Sequence, residues 1–231
     1  MTIMVSLAGQ ILSRRARIRL AIAAIVAALV VSLMVVAAGL GTWRGSGFRA
    51  DGTELPRLRT VLALKPGMSV ADVGAGGGYY TVRLARIVGA KGRVLAEDIV
   101  AETRDRLSDR IQRENLDNVA VKLGTADNPM LPHASFDRIF LVHMYHEVQS
   151  PYAFLWHLRD AVKPGGLVIV VDSNRPVQRH GIPPAQLKCE LAALALAPVK
   201  AQFLTGGEVY LMAFKVAGPR PEPGKIKACA S

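Results

Sequence analysis

The stretch VADVGAGGGYY, residues 70–80, decides the fold. A short apolar run carries a single acid, Asp72, and four glycines, Gly74, Gly76, Gly77 and Gly78, crowd the next few positions. Beyond them Tyr80, Leu84, Ile87 and Val88 recur at helical spacing until Gly89 stops the pattern. The order is therefore strand, glycine turn, helix. Glycines at such a turn permit positive φ and let a ligand approach the main chain, while the free N–H groups that open a helix favour an anionic or polar group.

Working outward, short apolar runs alternate with amphipathic stretches. Strands are expected at 69–75, 92–99, 119–125, 137–145 and 167–173, and helices at 78–89, 102–115, 151–163 and 184–196. Two more strands, 199–204 and 208–216, close the chain across Thr205-Gly206-Gly207. That connection is too short for a parallel crossover, so the final strand must run antiparallel. The expectation is an α/β protein with a doubly wound, mainly parallel, seven-stranded sheet whose last strand is antiparallel.

Two ligand classes use a glycine turn of this kind. A dinucleotide fingerprint counted from Gly74 puts Tyr79 where the third glycine should allow close helix packing, which weighs against a nicotinamide-dependent oxidoreductase. The alternative alignment, acid-x-Gly-x-Gly-x-Gly over Asp72 to Gly78, resembles motif I of the class I S-adenosylmethionine-dependent methyltransferases. Further segments resemble that family in order: Glu97-Asp98 at the end of the second strand, Thr125-Ala126-Asp127 after the third, SFDRIFLVHMYHEV (135–148) and VKPGGLVIVVD (162–172). The closing FLTGGEVYLMAFK (203–215) is similar to the last strands of the ubiquinone/menaquinone biosynthesis C-methyltransferases.

The resemblance implies a Rossmann-like methyltransferase fold, methyl transfer by direct displacement, and S-adenosyl-L-methionine as cofactor. It implies a cofactor site made of Asp72, Gly74, Ala75, Gly76 and Gly78, with Asp98 on the ribose hydroxyls and Ala126 and Asp127 at the adenine. The acceptor would be a small molecule, and the closing strands together with the apolar N-terminal segment favour a lipophilic one. A cofactor-fold domain that binds without transferring is the competing expectation.

His143, Tyr145, His146 and Glu147 fall at the carboxyl end of the fourth strand, where open α/β sheets bind ligands. If that strand runs to Tyr145, His143 and Tyr145 share one face and Met144 and His146 the other. Imidazole titrates near neutrality, so His143 and His146 are the candidate catalytic bases, with local hydrogen bonding as the plainer role. The His143, His146, Glu147 spacing lacks the i, i+4 helical arrangement of a zincin, and no metal is expected.

The net charge of +11 is unevenly spread: residues 1–50 hold six arginines and no acid, residues 215–231 contribute +3, and the body between is left at +2. A basic face for nucleic acid is not expected. The arginines flank 24 uncharged residues, 20–43, long enough to cross a bilayer, and the tighter cluster before them favours an N-terminus on the inner side. The expected organisation is a basic segment 1–19, a transmembrane or signal-anchor helix 20–43, a linker 44–56, the methyltransferase-like domain 57–217 and a flexible basic tail 218–231. Cys189 and Cys229 are far apart and outside any CxxC pair, so neither zinc nor a disulfide is expected of them.

Overall fold

Val70, Ala71, Asp72 and Val73 are all buried, so the strand they form, β1 (Ser69–Val73), has helices over both of its faces. The computed structural model describes residues 62–204 and 207–229. The expected segments 1–19, 20–43 and 44–56 lie outside the described residues; among the described residues no helix is long and apolar enough to cross a membrane.

From β1 the chain continues through α1 (Tyr79–Val88), β2 (Arg93–Asp98), α2 (Ala101–Arg113), β3 (Val119–Leu123) and β4 (Phe136–Val142). It then passes through α3 (Pro151–Asp160), β5 (Val162–Ser173), α4 (Pro184–Ala193), β6 (Leu196–Phe203) and β7 (Val209–Val216). The seven strands form one sheet in the order β3-β2-β1-β4-β5-β7-β6. β7 pairs antiparallel with both β5 and β6, and every other pairing is parallel, as the short closing connection requires.

Alternation along the central strands divides the core into two layers. Ala71, Ile139, Val168 and Val170 point to one face and meet Phe154, Leu155 and Leu158 of α3 with Leu187 and Leu191 of α4. Val70, Phe140, Ile169 and Val171 point to the other and meet Leu84, Ala85 and Val88 of α1. Each Val, Leu, Ile or Phe among them contributes roughly 1.5–3 kcal/mol on burial, and the β-branched run Val168–Val171 of β5 repeats that contribution along one strand. The strand order reverses between β1 and β4, and a ligand crevice is expected at the carboxyl ends of these two strands.

Three local expectations are corrected. β4 ends at Val142 rather than Tyr145, because His143 takes φ 53 and Tyr145–Glu147 curls into a 3-10 turn. The proposed alternation of His143 and Tyr145 on one strand face therefore does not hold. α3 stops at Asp160, and the Lys163–Gly166 stretch belongs to the start of β5, where Val162 pairs with Phe136.

The cysteines, expected to be bystanders, form a disulfide, Cys189–Cys229, between α4 and the C-terminal segment. That segment, expected to be flexible, is also tied to α3. Trp156 Nε1 donates to Pro221 O at 2.9 Å, the Arg220 guanidinium lies 3.8 Å above the Trp156 ring, and the Cys229 N–H donates to Tyr152 Oη at 2.7 Å. Cation–π contact and main-chain capture account for the order of a stretch whose composition reads as a tail.

Candidate cofactor and acceptor site

The glycine turn closes over the carboxyl end of β2. Gly74, Gly76 and Gly78 have φ values of 68, 54 and 77, all in the left-handed region. A Cβ on Gly74 would stand 2.8 Å from Met144 Cγ, and one on Gly78 would stand 2.3 Å from Leu107 Cδ1, whereas Gly76 faces open space. Gly74 and Gly78 are thus fixed by packing as well as by φ, and Gly76 by φ alone. The turn is held from below: the Ala75 N–H donates to Glu97 O at 2.9 Å, and the Gly76 N–H donates to Asp98 Oδ2 at 2.9 Å. Asp98 Oδ1 accepts the Val100 N–H at 2.9 Å, so the carboxylate spans the turn and the start of α2.

Three acids surround this turn. Asp72 Oδ2 accepts the Thr81 hydroxyl at 2.5 Å, and burial lifts its carboxyl to about 6 against the opposing pull of Thr81. What Asp72 holds in the structure is thus the first turn of α1. Glu97, anticipated only as a neighbour of Asp98, is the more deeply buried of the two. Burial raises it to about 7, a Gly74 N–H bond lowers it, and Asp98 and Asp72 add repulsion. A Cβ on Gly124 would stand 1.8 Å from Glu97 Oε1, so Gly124 is the space into which this carboxyl leans. The N–H groups of Gly74, Ala75 and Gly76 are thus taken up by Glu97 and Asp98, and that of Gly78 by Ala75 O, so what surrounds the turn is chiefly a concentration of carboxyls.

At the end of β3, Ala126 and Asp127 are exposed. The Thr125 hydroxyl donates to Asp127 Oδ1 at 2.8 Å, and Asn128 Oδ1 accepts the Met130 N–H at 2.7 Å. Asp127 is held in a local turn at the carboxyl edge of the sheet, on the same side as Asp98.

The other half of the crevice lies at the ends of β4 and β5. The His143 N–H donates to Val171 O at 2.8 Å, which places it at the β4–β5 junction. His146 leaves that junction in the 3-10 turn and directs Nδ1 at Asp172, 3.0 Å from Oδ1 and 3.1 Å from Oδ2. The hydrogen bond to Asp172 raises the His146 pKa above its ordinary value, against the opposing effect of burial. Met144, two residues before His146, is the side chain packed on Gly74, so the glycine turn and the histidine turn share a wall. Nearby, Tyr145 donates its hydroxyl to Glu190 Oε2 at 2.8 Å inside the core.

Asp172 and Thr81 are the site residues that sequence reading passed over. A signal for Asp172 was present: like Asp72 and Asp98 it is an acid near the carboxyl end of an apolar strand. Thr81 has no comparable mark, since its partner Asp72 lies across the whole glycine turn.

A sequence model of the protein-L-isoaspartate(D-aspartate) O-methyltransferase family matches residues 55–181. The chain belongs to this family. Among its curated relatives, the protein-L-isoaspartate O-methyltransferase of Pyrococcus horikoshii is 32% identical over 107 residues, 46% of this chain and 45% of that protein. The ubiquinone/menaquinone biosynthesis C-methyltransferase of Vibrio vulnificus is 30% identical over 114 residues, 49% of this chain and 44% of that protein. The chain spans about half the length of the curated relatives it matches. Among solved structures, an S-adenosylmethionine-dependent methyltransferase from Aquifex aeolicus superposes with a TM-score of 0.66 at 24% identity, covering 71% of this chain and 90% of that one. Family and fold are those of the class I S-adenosylmethionine-dependent methyltransferases, and S-adenosylmethionine is the cofactor of that class.

Proposed function

We propose that this protein transfers the methyl group of S-adenosyl-L-methionine to an acceptor bound at the carboxyl ends of β4 and β5, while the chain is tethered to a membrane by residues 20–43. The observation that carries the reading is the junction of the glycine turn with Asp98, where the Gly76 N–H meets the carboxylate at 2.9 Å beside the strand-order reversal. Asp98 suits the paired ribose hydroxyls. Ala126 and Asp127, exposed after β3, are the residues that the methyltransferase resemblance assigns to the adenine. The acids Asp72, Glu97 and Asp98 give the site a negative potential, which favours a ligand carrying a sulfonium and an ammonium.

The reaction is a displacement at carbon: an acceptor lone pair forms the new bond to the methyl group as the carbon–sulfur bond breaks and its electron pair returns to sulfur. Holding acceptor, methyl and sulfur in line supplies much of the rate, so rigid walls matter more than proton transfer. In this reading the side chains that would contact the acceptor are His146, whose Nδ1 faces Asp172, and His143 at the β4–β5 junction. The apolar segment 20–43 favours a lipophilic small molecule as acceptor. The family match favours a second acceptor, the isoaspartyl carboxylate of a damaged protein.

Isothermal titration of the full chain in mild detergent with S-adenosylmethionine tests the cofactor half; absence of heat from a folded protein refutes it. Radiolabelled methyl transfer to a membrane lipid extract and to an isoaspartyl peptide, run side by side, separates the two acceptors. A C-terminal reporter active on one side of the membrane assigns the domain's compartment.

A further inference from the structure

The turn after β4 and the loop after β5 bring His146, Glu147 and His180 together, with one potential donor atom from each lying within 4.8 Å of the others. His146 is the fixed member. Its side chain is only 7% exposed, and its Nδ1 faces both oxygens of Asp172, which is fully buried and whose Oδ1 also accepts the Ser173 N–H at 2.7 Å. A ring whose Nδ1 is engaged by a carboxylate keeps Nε2 as the coordinating nitrogen, the arrangement found behind metal-bound histidines. Here Nε2 points toward Glu147, 3.9 Å from its Oε1.

His180 arrives on a loop that the structure anchors. The N–H groups of Arg175 and Ile182 both donate to Ser173 O, at 2.8 and 3.0 Å, and the Tyr210 hydroxyl donates to Ile182 O at 2.8 Å. Gly181 is packed so closely on Ser173 O that a Cβ there would approach it to 2.5 Å. His180 itself takes φ 54 and ψ 62, a left-handed conformation that costs a non-glycine residue of order 1–3 kcal/mol and tends to gather at functional sites. The result is a ring edge-on to His146 with centroids 5.9 Å apart.

We propose that His146, Glu147 and His180 form a site for a divalent transition metal of the zinc class, with Asp172 as the carboxylate that orients His146. Two imidazoles and one carboxylate are the ligand set that suits zinc and its borderline neighbours, while magnesium and calcium call for oxygen donors. Bonds of about 2.0–2.1 Å to a tetrahedral ion require donors roughly 3.3 Å apart. Side-chain rotation of Glu147 and His180, both exposed, closes the present spread while His146 stays in place. Three protein ligands leave coordination open, and an oxygen of the acceptor is the natural fourth. That use of the open position rests on the methyl-transfer reading; the site itself does not. The inference departs from the expectation of no metal, which weighed only residues adjacent in the chain and therefore never paired His146 with His180.

The test is titration of the full chain, prepared without a polyhistidine tag and stripped of metal, with cobalt(II) as a coloured probe and zinc(II) as its competitor. A d–d absorption band that saturates at one equivalent and is displaced by zinc is expected. His180→Ala and Glu147→Gln alter exposed side chains and leave the core untouched; each should weaken cobalt binding about 10-fold or more. Zinc should raise the melting temperature of the parent chain and not that of His180→Ala. No saturable band, or a band unchanged in both variants, overturns the proposal. Titration with S-adenosylmethionine on the same samples keeps the two readings apart: cofactor heat without a cobalt band refutes the metal site alone, and a cobalt band without cofactor heat refutes methyl transfer alone.

Discussion

Glu97→Gln should make the protein more stable at neutral pH, although it removes a carboxylate from beside the glycine turn. Glu97 is 1% exposed, accepts a Gly74 N–H and leans over Gly124, with Asp72 and Asp98 repelling its charge. Its carboxyl is held at about 7 in the folded chain against an ordinary 4.5. Between those values the folded chain retains a proton that the unfolded chain has released, so stability falls as pH rises through that window. Each tenfold difference in proton affinity is worth about 1.4 kcal/mol, which places the cost of ionising folded Glu97 near 3 kcal/mol above neutrality. Glutamine keeps the shape and an acceptor for the Gly74 N–H and never ionises. Urea denaturation at about pH 5 and about pH 8 should show the parent chain losing stability with rising pH, and the variant losing roughly 3 kcal/mol less. Asp72, raised to about 6 chiefly by burial, contributes in the same direction in both proteins. Parallel pH profiles for parent and variant would refute the reasoning.

Thr81→Val strips the hydroxyl from buried Asp72 and should cost about 1–3 kcal/mol by chemical denaturation, with the largest loss above the Asp72 pKa. Gly78→Ala must force a Cβ toward Leu107 at a positive φ and should cost about 2 kcal/mol or more, while Gly76→Ala, with open space around it, should cost only about 1 kcal/mol. Thermal melts of the two alanine variants rank them. Reducing Cys189–Cys229 opens a loop closed over 40 residues, and chain entropy puts the loss at about 4 kcal/mol, measurable as a fall in urea midpoint with reductant.

The glycine turn and its strand were legible because they are local. Residues 69–89 carry the apolar run, the φ-permissive residues and the helical spacing in one uninterrupted stretch. The antiparallel β7 was equally legible, because a three-residue connection excludes a crossover. The acceptor side was not. Asp172 meets His146 across 26 residues and Cys189 meets Cys229 across 40, and both pairings exist only because β4, β5 and α4 are packed side by side. His143 misled for a related reason: its left-handed φ ends β4 three residues early, and neither its identity nor its neighbours announce that backbone. Glu97 and Asp98 stand next to each other in the chain. Which is deeper was settled by Gly124, a residue just past the end of β3.

The place of β7 has a consequence for how the chain is made. β5 is complete at Ser173, yet the strand that covers its outer edge does not begin until Val209. Chain growth at about 5–20 residues per second leaves that edge open for a few seconds. During that interval Val168, Ile169, Val170 and Val171 stand on a bare strand whose main-chain groups can pair with any other growing copy. The nascent protein therefore carries an association-prone edge until β7 arrives to join β5 to β6, and synthesis stalled between Ser173 and Val209 is expected to favour aggregation.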